Sequence, residues 1–106
     1  MYIAMNRFRV STPRAAEFET VWRERNSYLT EVPGFVGFKL LRGPDRDGVT
    51  LFASHSTWAS EQAFVDWTES EAFKKAHSGA RTPKGVLLGH PEFEGFEVRL
   101  ALDGPS

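Results

Sequence analysis

The chain has 106 residues, a net charge of −1 and 25% charged residues, which suits one globular domain spanning 1–106 and gives no basic stripe for nucleic acid or an anionic membrane. With no cysteine, disulfides, thiolate zinc sites and a cysteine nucleophile are excluded, and a reducing compartment fits. No apolar run approaches the ~20 residues of a membrane span, and MYIAMNRFRV lacks the apolar stretch of a signal peptide, so the expected setting is cytoplasmic.

Residues 2–10 read as a strand with Tyr2, Ala4, Asn6, Phe8 and Val10 on one face. Asn6 therefore sits among apolar neighbours, where an amide needs a partner, either a nearby backbone group or something bound. Ser11-Thr12-Pro13 opens a helix, with Thr12 as N-cap and Pro13 in the first turn. Phe18, Val21, Trp22 and Arg25 follow at helical spacing. Trp22 is expected to pack on the sheet, and Arg25 reads either as a solvated helix-end charge or as an anion clamp. A short helical turn over Tyr28–Val32 ends at Pro33-Gly34.

Phe35–Arg42 and Val49–Thr57 read as two strands joined by the loop GPDRDG. The first of them is apolar on both faces, with Val36, Phe38 and Leu40 on one and Phe35 and Leu41 on the other. Helices on one side of a sheet leave the second set wet, so a homodimer covering that face is expected. The stretch WASEQAFVDWTESEAFKKAH then reads as two short helices. Ser60 caps the first, whose Phe64 and Trp67 point inward. Thr68 with Glu71 forms a capping box for the second, in which Phe73, Ala76 and His77 share a face. An inward histidine at a helix C-terminus can bond local carbonyls or bind a ligand.

Residues 78–91 form a long loop with three glycines, carrying Arg81 and Lys84, and loops of that length are often functional. A last strand runs over Glu92–Leu102 with Phe96, Val98, Leu100 and Leu102 alternating. The order β-α-β-β-α-β defines an α+β, ferredoxin-like fold. His55 and His90 read as structural or incidental, and the three histidines have no metal-ligand spacing among themselves. Phosphate-loop, dinucleotide, serine-hydrolase and zinc-protease motifs are all absent. What remains is an inward trio of Asn6, Trp67 and His77, which spacing alone does not connect.

Resemblance connects them. MNRFRV, PGFVGFKLLR, HSTWASEQAFVDW, FKKAHSGAR and FEVRLALD resemble, in order, segments of the antibiotic-biosynthesis-monooxygenase superfamily and within it the IsdG/MhuD-type heme-degrading monooxygenases. Many superfamily members without heme share PGF-x-G-F and W-x-S-x-x-A-F. The discriminating set is an asparagine on the first strand and a tryptophan ten residues before a histidine that follows F-x-x-A; here these are Asn6, Trp67 and His77.

The resemblance implies that heme is both cofactor and substrate, cleaved with O2 and electrons from an external donor such as a reductase or small reductant. It implies that His77 is the axial ligand of the heme iron, that Asn6 donates its amide N–H to oxygen on the distal side, and that Trp67 presses on and ruffles the porphyrin. Trp22, Arg25, Phe64, Phe73 and Arg81 are the implied heme contacts, with Arg25, Arg81 or Lys84 reaching the propionates. It also implies a homodimer closing a shared α+β barrel. Two other functions stay open. A cofactor-independent monooxygenase acting on an aromatic polyketide-like substrate would need no iron ligand. A non-enzymatic heme-binding protein would need neither Asn6 nor a ruffling Trp67.

Overall fold

The computed structural model describes residues 1–25, 28–78 and 82–105, and for 75–78 the backbone alone. Strands β1 (Tyr2–Ser11), β2 (Phe35–Arg46), β3 (Val49–Trp58) and β4 (Glu92–Glu97) form one antiparallel sheet in the order β2-β3-β1-β4. Helices α1 (Ala15–Glu24), α2 (Glu61–Thr68) and α3 (Glu71–Ser78) complete the β-α-β-β-α-β sequence expected of a ferredoxin-like α+β domain. None of the described helices is long and apolar enough to cross a membrane.

Strand alternation decides which face is covered. Tyr2, Ala4, Phe8 and Val10 are buried, and Asn6 shares their side of β1. The core on this side divides into two aromatic clusters. One gathers Phe8, Val10, Ala15, Phe18, Phe52 and Val86; the other gathers Tyr2, Ala4, Leu29 and Trp58, with Phe35, Phe64 and Trp67 packed against it. Across the middle of the sheet run two rows of paired residues, Leu40–Ser54–Asn6–Phe93 and Phe38–Ser56–Ala4–Gly95. Their central members are small or polar, so the sheet surface is low between the clusters.

Several local expectations give way to specific contacts. Thr12 does not cap α1: its hydroxyl donates to that of Thr50 (3.0 Å), whose own proton goes to Asp45, and residues 12–14 form a 3-10 turn before the helix. The hairpin is tighter than the sequence suggests, because β2 continues to Arg46 and only Asp47 and Gly48 turn. Both have positive φ, 51° and 79°, the geometry that an Asp-Gly pair favours. A bulge between Phe35 and Gly37 breaks the alternation of β2. It brings Phe35 to the covered side, edge-on to Trp58 at 5.5 Å, so Phe35 does not share the outer face with Leu41.

Ser60 caps α2 as expected, accepting from the Ala63 N–H at 3.1 Å. The cap of α3 is Ser70 rather than Thr68: Ser70 Oγ accepts from the Phe73 N–H, while Thr68 donates to the Val65 carbonyl. The long loop is anchored in its second half. Val86 is fully buried, its carbonyl accepts from the Ser11 N–H, and Leu87 bridges Val10. The last strand stops at Glu97, five residues short of Leu102, with a single further bond from Val98 to the Met1 carbonyl. Leu100 and Leu102 beyond it are 80% and 86% exposed.

Gly34 sets the position of α2. Its φ is +84°, and a Cβ there would lie 2.5 Å from the Cβ of Ala63; its carbonyl also receives the Ala59 N–H at 2.7 Å. Gly34→Ala should therefore lower stability in urea unfolding by roughly 2–3 kcal/mol, from left-handed backbone strain and overpacking together. Gly37→Ala, where nothing lies within 4 Å of the added atom, should stay within about 0.5 kcal/mol.

Candidate functional site

Over the low middle of the sheet lies a cavity of about 260 Å³. Its floor is formed by Ala4, Asn6, Ser54 and Ser56 from the two central strands. Trp22 and Arg25 enter from the end of α1, Phe64, Trp67 and Thr68 from α2, Phe73 from α3, and Phe38 and Phe93 from the two edge strands. The walls are rings that fix one another. Trp22 stacks on Phe38 (5.5 Å, 18°), Phe64 stacks on Phe93 (5.6 Å, 8°), and Trp67 meets Trp58 at 5.4 Å and Phe73 edge-on at 4.8 Å. Such ring pairs contribute beyond simple area burial.

Its polar groups are few. The Asn6 side chain has no hydrogen-bond partner among the described residues, contrary to the expectation that a neighbouring backbone group could satisfy it. Ser56 is satisfied: it accepts from the Trp58 indole N–H at 2.9 Å and donates to the Ala4 carbonyl. Arg25, just past the end of α1, places its guanidinium 4.7 Å from the Trp22 ring centroid. Burial pushes its pKa below the ordinary arginine value, although a guanidinium stays charged at any physiological pH. No carboxylate pairs with it among the described residues. A half-buried cation on an aromatic face, open to the cavity, suits an anionic group on a flat apolar ligand.

Six of the eight nominated residues, Asn6, Trp22, Arg25, Phe64, Trp67 and Phe73, line this one cavity. His77 belongs to α3, but its side chain lies outside the described residues, as does Arg81 altogether. Lys84 is not part of the lining; its carbonyl receives Arg14 at 2.7 Å. His55 pairs with Met5 and Lys39 on the opposite sheet face, and His90 is exposed. No group of three or more His, Cys, Asp or Glu among the described residues could hold a metal. Phe38, Phe93 and Ser54 also line the cavity, and sequence reasoning missed them. A signal for Ser54 was present: it sits at a covered position of β3, where alternation calls for an apolar residue.

On the other side of α2 lies a larger groove of about 780 Å³, edged by Glu31, Pro33, Ala63, Asp66 and Ser70. Trp67 is the one residue named in the lining of both spaces among those described.

A sheet covered on one face by helices, with an aromatic cavity between them, is the architecture of a small-molecule site. The family model for antibiotic biosynthesis monooxygenase matches residues 1–79, and the chain belongs to that family. A heme oxygenase (mycobilin-producing) of Mycobacterium tuberculosis is 31% identical over 96% of this chain and 92% of its own. A heme-degrading monooxygenase of Shouchella clausii is 33% identical over 63% of this chain, which spans only 62% of that relative.

Among solved structures, the heme degrader MhuD of M. tuberculosis with two hemes in its active site aligns at a TM-score of 0.75. It has 28% identity and covers 97% of this chain and 100% of its own. A MhuD mutant with two manganese protoporphyrin IX molecules per active site aligns at 0.78, with 27% identity over 98% of this chain and 100% of its own. SnoaB, a cofactor-independent oxygenase of Streptomyces nogalater, aligns at 0.69, with 26% identity and 97% coverage of each chain.

Arg25→Leu separates fold from site. Removing a cation that rests on Trp22 but has no carboxylate partner should leave stability within about 1 kcal/mol of the parent, the lost ring contact offsetting the gain from relieved burial. The same change should weaken binding of the anionic aromatic dye anilinonaphthalene sulfonate several-fold. Urea unfolding and dye fluorescence measure the two effects, and loss of both stability and dye binding would mark Arg25 as structural.

Proposed function

We propose that the protein is a heme-degrading monooxygenase whose substrate enters the cavity between α2, α3 and the sheet. The observation that carries this reading is the convergence of Asn6, Trp67, Trp22, Arg25, Phe64 and Phe73 on one cavity. Those residues come from four separate elements, and the family resemblance assigns all six to the heme site. The lining also suits the ligand: flat aromatic walls for a macrocycle, and one unpaired guanidinium for a propionate at its edge. Bound heme supplies the iron that activates dioxygen and is itself the ring that is opened, with electrons from an external donor.

The chain's own contributions follow from the residue types. His77, near the C-terminal end of α3, would hold the heme iron through an imidazole nitrogen. Asn6 offers an amide N–H on the floor, where no protein group competes for it. Trp67, held between Trp58 and Phe73, is a rigid surface able to bend a macrocycle pressed against it. Phe64, Trp22 and Phe73 exclude water from the reacting face.

A cofactor-independent oxygenase acting on an aromatic substrate is the second reading, and cavity size favours it. The space of about 260 Å³ lies just under the ~300–1,000 Å³ usual for small-molecule sites, so a porphyrin requires the α2–α3 side to give way. Hemin titration distinguishes the two. A saturable Soret shift, abolished by His77→Ala, is expected for the first reading and no shift for the second. In the hemin-loaded protein with a reductant under air, Asn6→Ala should keep the spectrum but lose about 10²-fold in ring opening, the usual loss for one preorganised donor. Trp67→Phe should bind heme and cleave it more slowly. A parent rate in Asn6→Ala would remove that residue from the mechanism.

The assembly we propose is a homodimer through the uncovered sheet face. Leu41 and Phe96 are exposed there, beside Ile3 and Met5. Light scattering at micromolar concentration should give twice the 12.0 kDa chain mass, and Leu41→Glu should shift it toward the monomer. A monomeric parent over the whole range would leave this face unexplained.

A further inference from the structure

Ser54 is the buried polar residue of the cavity that neither the fold nor the roles above account for. It is only 7% exposed, lies on β3 directly opposite Asn6, and lines the same cavity. Side chains at directly opposed positions have Cβ atoms ~4.5–5.5 Å apart. Its neighbours in the row are Leu40 and Asn6, with Phe93 beyond Asn6; Asn6 is the one polar side chain among them, and the two form no hydrogen bond with each other.

The other core-side hydroxyls of β3 are occupied. Ser56 bonds the Trp58 indole and the Ala4 carbonyl, and Thr50 bonds Thr12 and Asp45. Ser54 alone among the three has no hydrogen-bond partner in the described part of the chain, and the same holds for Asn6. The Ser54 hydroxyl is open to the cavity and not sealed inside protein, and alanine would fit the same backbone, so the fold itself has no use for the polar group. Two adjacent polar groups, both unmet by protein and both facing one aromatic-walled space, point to a shared occupant.

We propose that Ser54 is a second ligand-contacting residue of the site. Its Oγ–H and the Asn6 amide N–H form a two-point hydrogen-bonding patch on the cavity floor that holds the oxygen reactant. The patch fixes direction as well as affinity. One donor lets a small diatomic molecule pivot about its single bond, whereas two donors from neighbouring strands confine it to the line between them. The site thereby aims oxygen at one region of the macrocycle. The inference rests on the heme reading, and its test is arranged so that the two fail separately.

The first arm uses the protein without heme. Because Ser54 makes no bond to the fold, Ser54→Ala should leave the thermal midpoint unchanged or raised. A lowered midpoint would show a structural hydroxyl and overturn the proposal. The second arm begins with hemin titration of the parent, which tests the heme reading by itself. The ferrous protein is then loaded with carbon monoxide, and the C–O stretch is read by infrared spectroscopy. Loss of a donor should move the stretch to higher frequency in Ser54→Ala and in Asn6→Ala, and further in the double variant. Ser54→Thr, which keeps the hydroxyl, should restore the parent frequency. If Asn6→Ala shifts the band while Ser54→Ala does not, Ser54 touches no ligand and the proposal fails with the heme reading intact.

Discussion

The central constraint in this fold is that the middle of the sheet must stay low. Ala4, Asn6, Ser54 and Ser56 occupy the covered face where β1 and β3 pair, and aromatic clusters rise on either side of them. Were those four positions filled with valine or leucine, the two clusters would merge into one continuous core and no cavity would remain. Protein interiors are close-packed, so a hole persists only where surrounding groups cannot collapse into it. Here the rings that could fill it are already committed to one another: Trp22 to Phe38, Phe64 to Phe93, Trp67 to Trp58 and Phe73. The close approach of α2 over Gly34 then fixes the height of the roof.

How much of this was legible in the sequence depends on the range of the interaction. Period-two alternation in β1 placed Asn6 on the covered face, and helical spacing turned Phe64 and Trp67 inward; both signals are local. Long-range competition explains where expectation and structure part. Thr12 looked like a helix cap until the hydroxyl of Thr50, distant in sequence, engaged it. Phe35 looked like an outer-face residue until a bulge moved it against Trp58. Thr68 and Ser70 were both plausible caps for α3, and only the backbone path decides between them. Arg25 could be read as solvated or as a clamp, and only the tertiary structure shows it resting on Trp22 at the edge of the cavity. The pairing of Asn6 with Ser54 depends on strand register, which no local pattern specifies.

The site also shows how stability and use oppose each other within a small core. Arg25 rests on the Trp22 face without a carboxylate partner among the described residues, and Asn6 and Ser54 have no protein hydrogen bond, so the polar groups of the cavity add little to the empty fold. Each sits against the same cavity, where a bound molecule would give it a polar partner. The compensation lies in the fully buried residues outside it, such as Phe18, Phe52, Trp58 and Val86, which contribute packing and no binding groups.

Trp67 stands between the aromatic cavity and the larger groove behind α2, and the genetic code gives that wall an evolutionary meaning. Tryptophan has one codon, and no single-nucleotide change from it yields another aromatic residue. The reachable replacements are glycine, serine, cysteine, leucine and arginine. A lineage therefore cannot trim this wall gradually. A step to glycine, serine or cysteine at Trp67 would remove the ring shared by a space of about 260 Å³ and one of about 780 Å³, presenting selection with a differently shaped chamber. Descendants of this fold that accept bulkier molecules are one nucleotide away at that codon.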